Sequence, residues 1–244
     1  VINSGLNQRC NRIGQSLCYT NNDYGKGFAD AFQAAYEAAG GSVTLSAPHE
    51  DGKADYSAEV GALASAGGDA LVVLGYVDQG GAGVIQGALD TGAFDMFAMG
   101  DGMIGDSLVE RFGDDIAGMI GTAPGSDNAG AVMFAEMATA AGIDGTSVYA
   151  GESYDAAALM LLAMAAAGSK EPGDYQSKIF DIANAPGEQI LPGELGKAID
   201  ILAAGGDVDY QGATGVELVE PGEAAGSYAE FTVEGGALKV VGYR

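Results

Sequence analysis

The chain has 244 residues, 48 % of them hydrophobic, with mean hydropathy +0.12, which places it among globular proteins of one large domain or two small lobes. Lys and Arg number 10 against 34 Asp and Glu, a net charge of −24 spread along the sequence, so nucleic acid and anionic membrane are poor partners. No apolar run reaches the ~18 residues that span a bilayer, and the longest, "AAALMLLAMAAAG" at 156–168, reads as a buried helix.

The opening stretch, "VINSGLNQRCNRIGQSLC", is polar and aperiodic and holds both cysteines, Cys10 and Cys18. It has neither the CxxC pair nor the clustered His of a metal site, and neither the basic start nor the apolar core of a signal peptide. From Tyr19 the pattern changes. "YTNNDYGKGFADAFQAAYEAAGG" reads as the end of a strand, a polar turn and an amphipathic helix over 25–39. Strands then follow at 42–47, 69–75, 96–100 and 117–122, alternating with helices at 55–66, 79–91 and 106–112. The run "DALVVLG" is continuously apolar, as a strand covered on both faces must be, which predicts a parallel, doubly wound α/β sheet.

After "TAPGSDNAG" the alternation stops, and helices are predicted at 127–141, 153–167, 174–184 and 194–204 with little strand between them. Their apolar faces, with Leu159, Leu162, Ile179, Ile182, Ile199 and Leu202, are expected to lack a sheet to cover. The last segment, "GSYAEFTVEGGALKVV", predicts a hairpin turning at Gly235 and Gly236.

Three local motifs compete for a chemical role. "GDGMIG", Gly100 to Gly105, has the spacing and context of a dinucleotide fingerprint, yet Asp101 sets a carboxylate where a pyrophosphate would lie. The single histidine, His49, stands in the charged run "PHEDGKADY" and reads as a solvated loop residue far in sequence from either cysteine. "DVDYQG", 207–212, imitates the start of a calcium loop, but Leu218 occupies the place of its bidentate Glu, and the run reads as a turn.

A fourth arrangement is better placed. Tyr24, Tyr76 and Asp101 each follow a predicted strand, at the sheet edge where open α/β sheets bind ligands. A carboxylate between two aromatic faces suits a small ligand with an ammonium group, because the rings exclude water and so strengthen the ion pair. The competing reading makes Asp101 a turn cap and the tyrosines core or rim residues.

The blocks "YTNNDYGKGFADAFQAAYEAAGGSV", "HEDGKADYSAEVGALASAGGDALVVLGY", "GAFDMFAMGDGM", "GESYDAAALMLLAMAAAGS" and "GELGKAIDILAAGGDVDYQGATG" together resemble the periplasmic Leu/Ile/Val-type (type I) substrate-binding proteins of ABC transporters. The resemblance runs from about Tyr19 to the C-terminus. It implies an α/β type I periplasmic binding-protein fold with one near-complete doubly wound lobe plus the returning part of the other. The boundaries it implies are an atypical stretch at 1–18, the second lobe at 19–123, the returning part of the first lobe at 124–226 without its N-terminal half, and a C-terminal hairpin at 227–244.

The resemblance further implies a periplasmic protein, monomeric in its full-length form, that catalyses no reaction and needs no cofactor. By closing two lobes it would capture a branched-chain or related amino acid and deliver it to a membrane permease. Tyr24, Tyr76 and Asp101 match the family's second-lobe ligand contacts, with Asp101 where an acidic residue holds the α-ammonium. Two alternatives are a ligand-sensing domain of a receptor or regulator on the same fold, and an NAD-dependent oxidoreductase using Gly100 to Gly105.

Overall fold

The continuously apolar run becomes β3 (Ala70–Leu74), five buried residues in a row, in a computed structural model that describes residues 14–244. Beside it lie β1 (Gly14–Thr20), β2 (Ser42–His49), β4 (Phe97–Met99) and β5 (Ile120–Pro124), all paired in parallel. The hairpin β10 (Tyr228–Glu234) and β11 (Ala237–Tyr243) joins them, giving a seven-stranded sheet in the order β11-β10-β5-β4-β3-β1-β2. Gly235 and Gly236 turn that hairpin at φ 64° and 70°, the left-handed conformation that a two-residue turn of this kind requires at both centres.

Helices α1 (Asp23–Ala38), α2 (Ser57–Ala66), α3 (Ala82–Thr91) and α4 (Asp106–Phe112) connect the strands, and a kinked π-type turn, Val77–Gly81, precedes α3. Asn22 starts α1 by accepting a hydrogen bond from the Gly25 amide at 2.9 Å, which satisfies one of the helix's unpaired donors. Ala29, Phe32 and Tyr36 recur at helical spacing on one face of α1 and pack on Leu17, Val72, Leu74 and Ala98 of the sheet. Each large apolar side chain buried this way stabilises the unit by about 1.5–3 kcal/mol.

The reading of residues 1–18 as an atypical, aperiodic stretch outside the sheet is corrected for 14–18. Gly14 to Cys18 form most of β1, between β2 and β3, and Leu17 and Cys18 are fully buried. The polar character that hid this strand is absorbed locally. Ser16 Oγ donates to the Gly67 carbonyl at 2.8 Å, and the register against β2 shifts between Gln15 and Ser16, as at a β-bulge. Cys10 and the remainder of the opening stretch lie outside the described residues.

Gln15 is the exception to this accommodation. It is fully buried, and neither its amide nitrogen nor its amide oxygen has a hydrogen-bond partner among the described residues. An unpaired buried amide costs free energy that an apolar side chain of similar volume would not. Gln15→Leu is therefore expected to raise stability by about 1–3 kcal/mol, read as a higher urea midpoint at unchanged slope. A lowered midpoint would show that the amide is partnered.

The chain separates into two units, one of described residues up to Ala123 with Ala229–Gly242 and Arg244, the other Pro124–Tyr228 with Tyr243. The second unit holds α5 (Ala129–Ala140), α6 (Ala150–Ala167), α7 (Pro172–Tyr175), α8 (Lys178–Ala183) and α9 (Leu195–Ala203). It also holds two parallel strands that the sequence reading missed, β6 (Glu188–Ile190) and β7 (Val208–Tyr210), and a short antiparallel pair, β8 (Leu218–Val219) with β9 (Glu223–Ala224). The "DVDYQG" run, expected to be a turn, thus contributes a buried strand.

The expectation of uncovered helices is corrected here as well. Leu159, Leu162 and Ile182 are buried in one cluster with Ile190, Val208 and Tyr210, and Ile179 and Leu202 pack against it. The two short strands supply the surface these helices needed. Ile199 alone of the six is exposed, at 44 %.

Candidate functional site

Three adjacent parallel strands, β4, β3 and β1, end on the same edge of the sheet, and each carries one of the predicted site residues just beyond its C-terminal end. Tyr24 lies in the first turn of α1, Tyr76 opens the turn that follows β3, and Asp101 begins a 3₁₀ turn, Asp101–Met103. The structure brings all three together. The Tyr24 hydroxyl donates to Asp101 Oδ1 at 2.8 Å, and its ring stacks on Tyr76 with centroids 5.2 Å apart and planes 27° apart.

Each of the three is half-buried. The Tyr24 hydroxyl also accepts from the Gly102 amide at 3.4 Å, so the phenol is held from two sides. Burial first, and then the Asp101 charge, push the Tyr24 phenol well above its ordinary range, so it stays a proton donor to the carboxylate. The result is an oriented carboxylate beside a two-ring aromatic wall, in a chain with a large negative charge. Such an arrangement has the chemistry to pair a small cation.

The sequence reading missed two parts of this arrangement. Phe28, one helical turn after Tyr24, meets the Tyr24 ring edge-on at 6.0 Å, a pairing that its i,i+4 spacing could have shown. Gly102 is there because nothing larger fits: a Cβ at that position would lie 2.4 Å from the Gly75 carbonyl and 3.1 Å from the Tyr76 ring. Gly100 and Gly102 of "GDGMIG" therefore serve close packing around Phe28 and the two tyrosines, whereas Gly105 faces open space, and the Gly102 amide is spent on a phenol.

His49 overturns its own expectation. It ends β2 with its side chain turned inward, 1 % exposed, and Nδ1 lies 3.3 Å from Cys18 Sγ. The sequence separation of 31 is bridged because β1 and β2 pair in parallel with Cys18 opposite Ala47 and Thr20 opposite His49. This is not a nucleophilic pair. Burial, followed by the charge of Glu59, pushes the Cys18 thiol up to about 12, and a fully buried thiol of that kind is inert. Among the described residues no group of His, Cys, Asp and Glu is arranged to hold a metal ion, and no helix is long and apolar enough to cross a membrane.

A relative, the chemotactic signal transduction system substrate-binding protein BasB of Halobacterium salinarum, is 37 % identical over 67 residues, 28 % of this chain and 16 % of that protein. Among solved structures, leucine binding protein LivK of Thermotoga maritima aligns with a TM-score of 0.74 at 21 % identity, covering 98 % of this chain and 62 % of its own. The branched-chain amino acid transporter substrate binding protein LivJ of Streptococcus pneumoniae, solved in complex with isoleucine, aligns with a TM-score of 0.71 at 19 % identity, covering 100 % and 63 %. The chain thus spans less than two thirds of the length of these proteins, and at such identities the likeness to the two structures is one of fold. The family model described as periplasmic binding protein matches residues 16–178, two thirds of the chain and most of the strands and helices described above. With its doubly wound parallel sheet and its fold neighbours, the chain belongs to the periplasmic binding proteins, of type I.

Proposed function

We propose that this chain is the substrate-binding component of an ABC importer and takes an aliphatic amino acid, with Asp101 holding the ammonium group and Tyr24 and Tyr76 walling it from water. The observation that carries this reading is the Asp101 carboxylate, oriented by Tyr24 and flanked by the stacked rings at a strand edge. Solved relatives named for leucine and branched-chain amino acids support the ligand class. The partner would be the membrane permease, at the outer face of the cytoplasmic membrane, where the family works. The likeness to BasB supports a second reading of the partner: a signalling receptor that senses the loaded protein.

Two-dimensional NMR of the full chain with L-leucine and with N-acetyl-L-leucine tests the site. L-Leucine is expected to move the Tyr76 ring and Gly102 amide resonances, and the acetylated compound, which lacks the cation, is expected to leave them in place. Equal responses to both, or silence to both, would refute the ammonium site. In the source organism, loss of leucine uptake on deletion would support the importer, and loss of leucine taxis alone the receptor.

A further inference from the structure

Tyr76 stands on a turn whose underside rests on the buried histidine. The amides of Gln79 and Gly81 both donate to the Tyr76 carbonyl, at 3.2 and 3.1 Å, which closes the turn on that residue. Gln79 interrupts it with φ −120° and ψ −106°. A Cβ at Gly80 would lie 2.4 Å from His49 Cδ2 and 2.6 Å from Nε2, and one at Gly75 would lie 3.1 Å from Cε1. The backbone on both sides of Tyr76 is thus laid directly on the imidazole. In a close-packed interior a shift of the ring must be passed on to that backbone.

The imidazole has a defined reason to shift. His49 Nε2 and Asp51 Oδ1 face each other at 3.6 Å, too long for a hydrogen bond, and both atoms are buried without a hydrogen-bond partner among the described residues. Asp51 is held from the other side, where its Oδ2 accepts from Thr20 Oγ1 at 2.7 Å. The groups around the ring are Cys18 from β1, Glu50, Asp51 and Lys53 from the loop after β2, Tyr56 edge-on at 5.8 Å, Glu59 from α2, and the Gly80 backbone of the turn.

Burial holds the imidazole below its ordinary value of 6.5 against the opposing pull of Asp51, Glu59 and Glu50. The ordered turn therefore belongs to the neutral ring. Because the folded value is depressed, that order is fully present above 6.5 and is lost as pH falls below it. With the neutral ring's proton on Nδ1, facing Cys18, proton uptake puts an N–H on Nε2 facing Asp51, and drawing the two to hydrogen-bond distance shifts groups that both lie against Gly80.

We propose that His49 is the positioning residue of the Tyr76 turn, and that its protonation displaces the turn and weakens ligand binding, so that the site holds its ligand at neutral pH and releases it in acid. This rests on the ligand site proposed above. His49 is the only histidine of the chain, so its imidazole NMR signal is unambiguous. In the ligand-free full chain, titrated from about pH 8 to about pH 4.5, the Gly80 amide and Tyr76 ring resonances are expected to move with the His49 midpoint. With L-leucine as probe, the dissociation constant is expected to rise about fivefold or more across that midpoint, and by linkage leucine should lower the midpoint by the matching amount.

His49→Gln should abolish the pH step whatever its affinity at neutral pH, and Asp51→Asn, a milder change, should move the His49 midpoint and the leucine response down together. Resonances of the turn that stay silent while His49 titrates, a His49 that takes up no proton in this range, or an acid response retained in His49→Gln would each overturn the proposal. A coupled titration in a protein that binds no leucine at neutral pH would support the positioning role and overturn the ligand reading alone.

Discussion

Replacing Asp155 by alanine is expected to destabilise the second unit by about 3–5 kcal/mol. Asp155 stands on α6 at 2 % exposure and gathers four hydrogen bonds: from the Tyr210 hydroxyl at 2.8 Å, the Ala213 and Thr214 amides at 2.8 Å each, and Thr214 Oγ1 at 2.7 Å. Burial first and the Asp155 charge second push the Tyr210 phenol far above its ordinary range, so it remains a donor to the carboxylate at any ordinary pH. The same loop is tied to β6, where the Gln211 and Gly212 amides donate to the Ile190 carbonyl at 3.0 and 3.1 Å. One carboxylate therefore pins α6 to β7 and to the loop behind it. Alanine would strand a fully buried phenol and the buried Ala213 amide, and would take two hydrogen bonds from the half-buried Thr214.

Asparagine separates geometry from charge at this position. Its carbonyl can still accept from Tyr210 and Ala213, but its NH₂ group would face the Thr214 amide, donor against donor. Asp155→Asn is expected to fall between wild type and alanine, at a cost of about 1–3 kcal/mol. Urea unfolding followed at the amides of Ala213 and Thr214 by hydrogen exchange reads the second unit separately from the first. Wild-type protection of both amides in Asp155→Ala would show that the loop is held by something else.

What the sequence could and could not show follows from where each residue's environment is set. The run around Val72 is apolar throughout because both its faces are covered, and that is visible in one dimension. So is the pair Gly235 and Gly236, because only glycine turns a hairpin there at no steric cost. That Tyr24, Tyr76 and Asp101 come together was legible for a similar reason: strand ends are marked by the change of period, and parallel strands bring their ends to one edge.

Most of β1, and the whole of β6 and β7, were not legible. Gln15 and Ser16 put two polar residues at the centre of a sheet, where Ser16 is satisfied by a carbonyl 51 residues away and Gln15 by no described residue. β6 and β7 are three residues each, and Asp209 within β7 is buried at 7 % exposure, so neither strand has room to show a period. His49 was misread because its sequence neighbours are charged, whereas its exposure is decided by its place as an inward-facing residue at the end of β2.

Asp101→Ala is expected to weaken binding of L-leucine by about 2–5 kcal/mol, enough to abolish detectable saturation of a site of ordinary affinity. The argument is one of asymmetry between free and bound states. In the free protein Asp101 Oδ1 accepts from the Tyr24 hydroxyl at 2.8 Å and the side chain is half-buried, so the carboxylate is already oriented. An ammonium group arriving against the Tyr24 and Tyr76 rings, themselves stacked at 5.2 Å, loses water on their side, and its attraction to the carboxylate grows as the local dielectric falls. Removing the carboxylate leaves the cation desolvated and unpaired, and most of the loss comes from that penalty.

Two further variants fix the cause. Asp101→Asn keeps the shape and a hydrogen-bond acceptor but not the charge, and should recover only a small part of the loss. Tyr24→Phe removes the hydroxyl that orients Asp101 while keeping the ring, and is expected to cost about 0.5–1.5 kcal/mol, the worth of one hydrogen bond. Calorimetric titration of the three variants with L-leucine gives the order wild type, Tyr24→Phe, Asp101→Asn, Asp101→Ala. Because the contact is between charges, the wild-type affinity should also fall with added salt while that of Asp101→Ala does not. An Asp101→Ala protein that keeps its fold and binds leucine as tightly as wild type would remove this carboxylate from the site and leave the aromatic pair as packing.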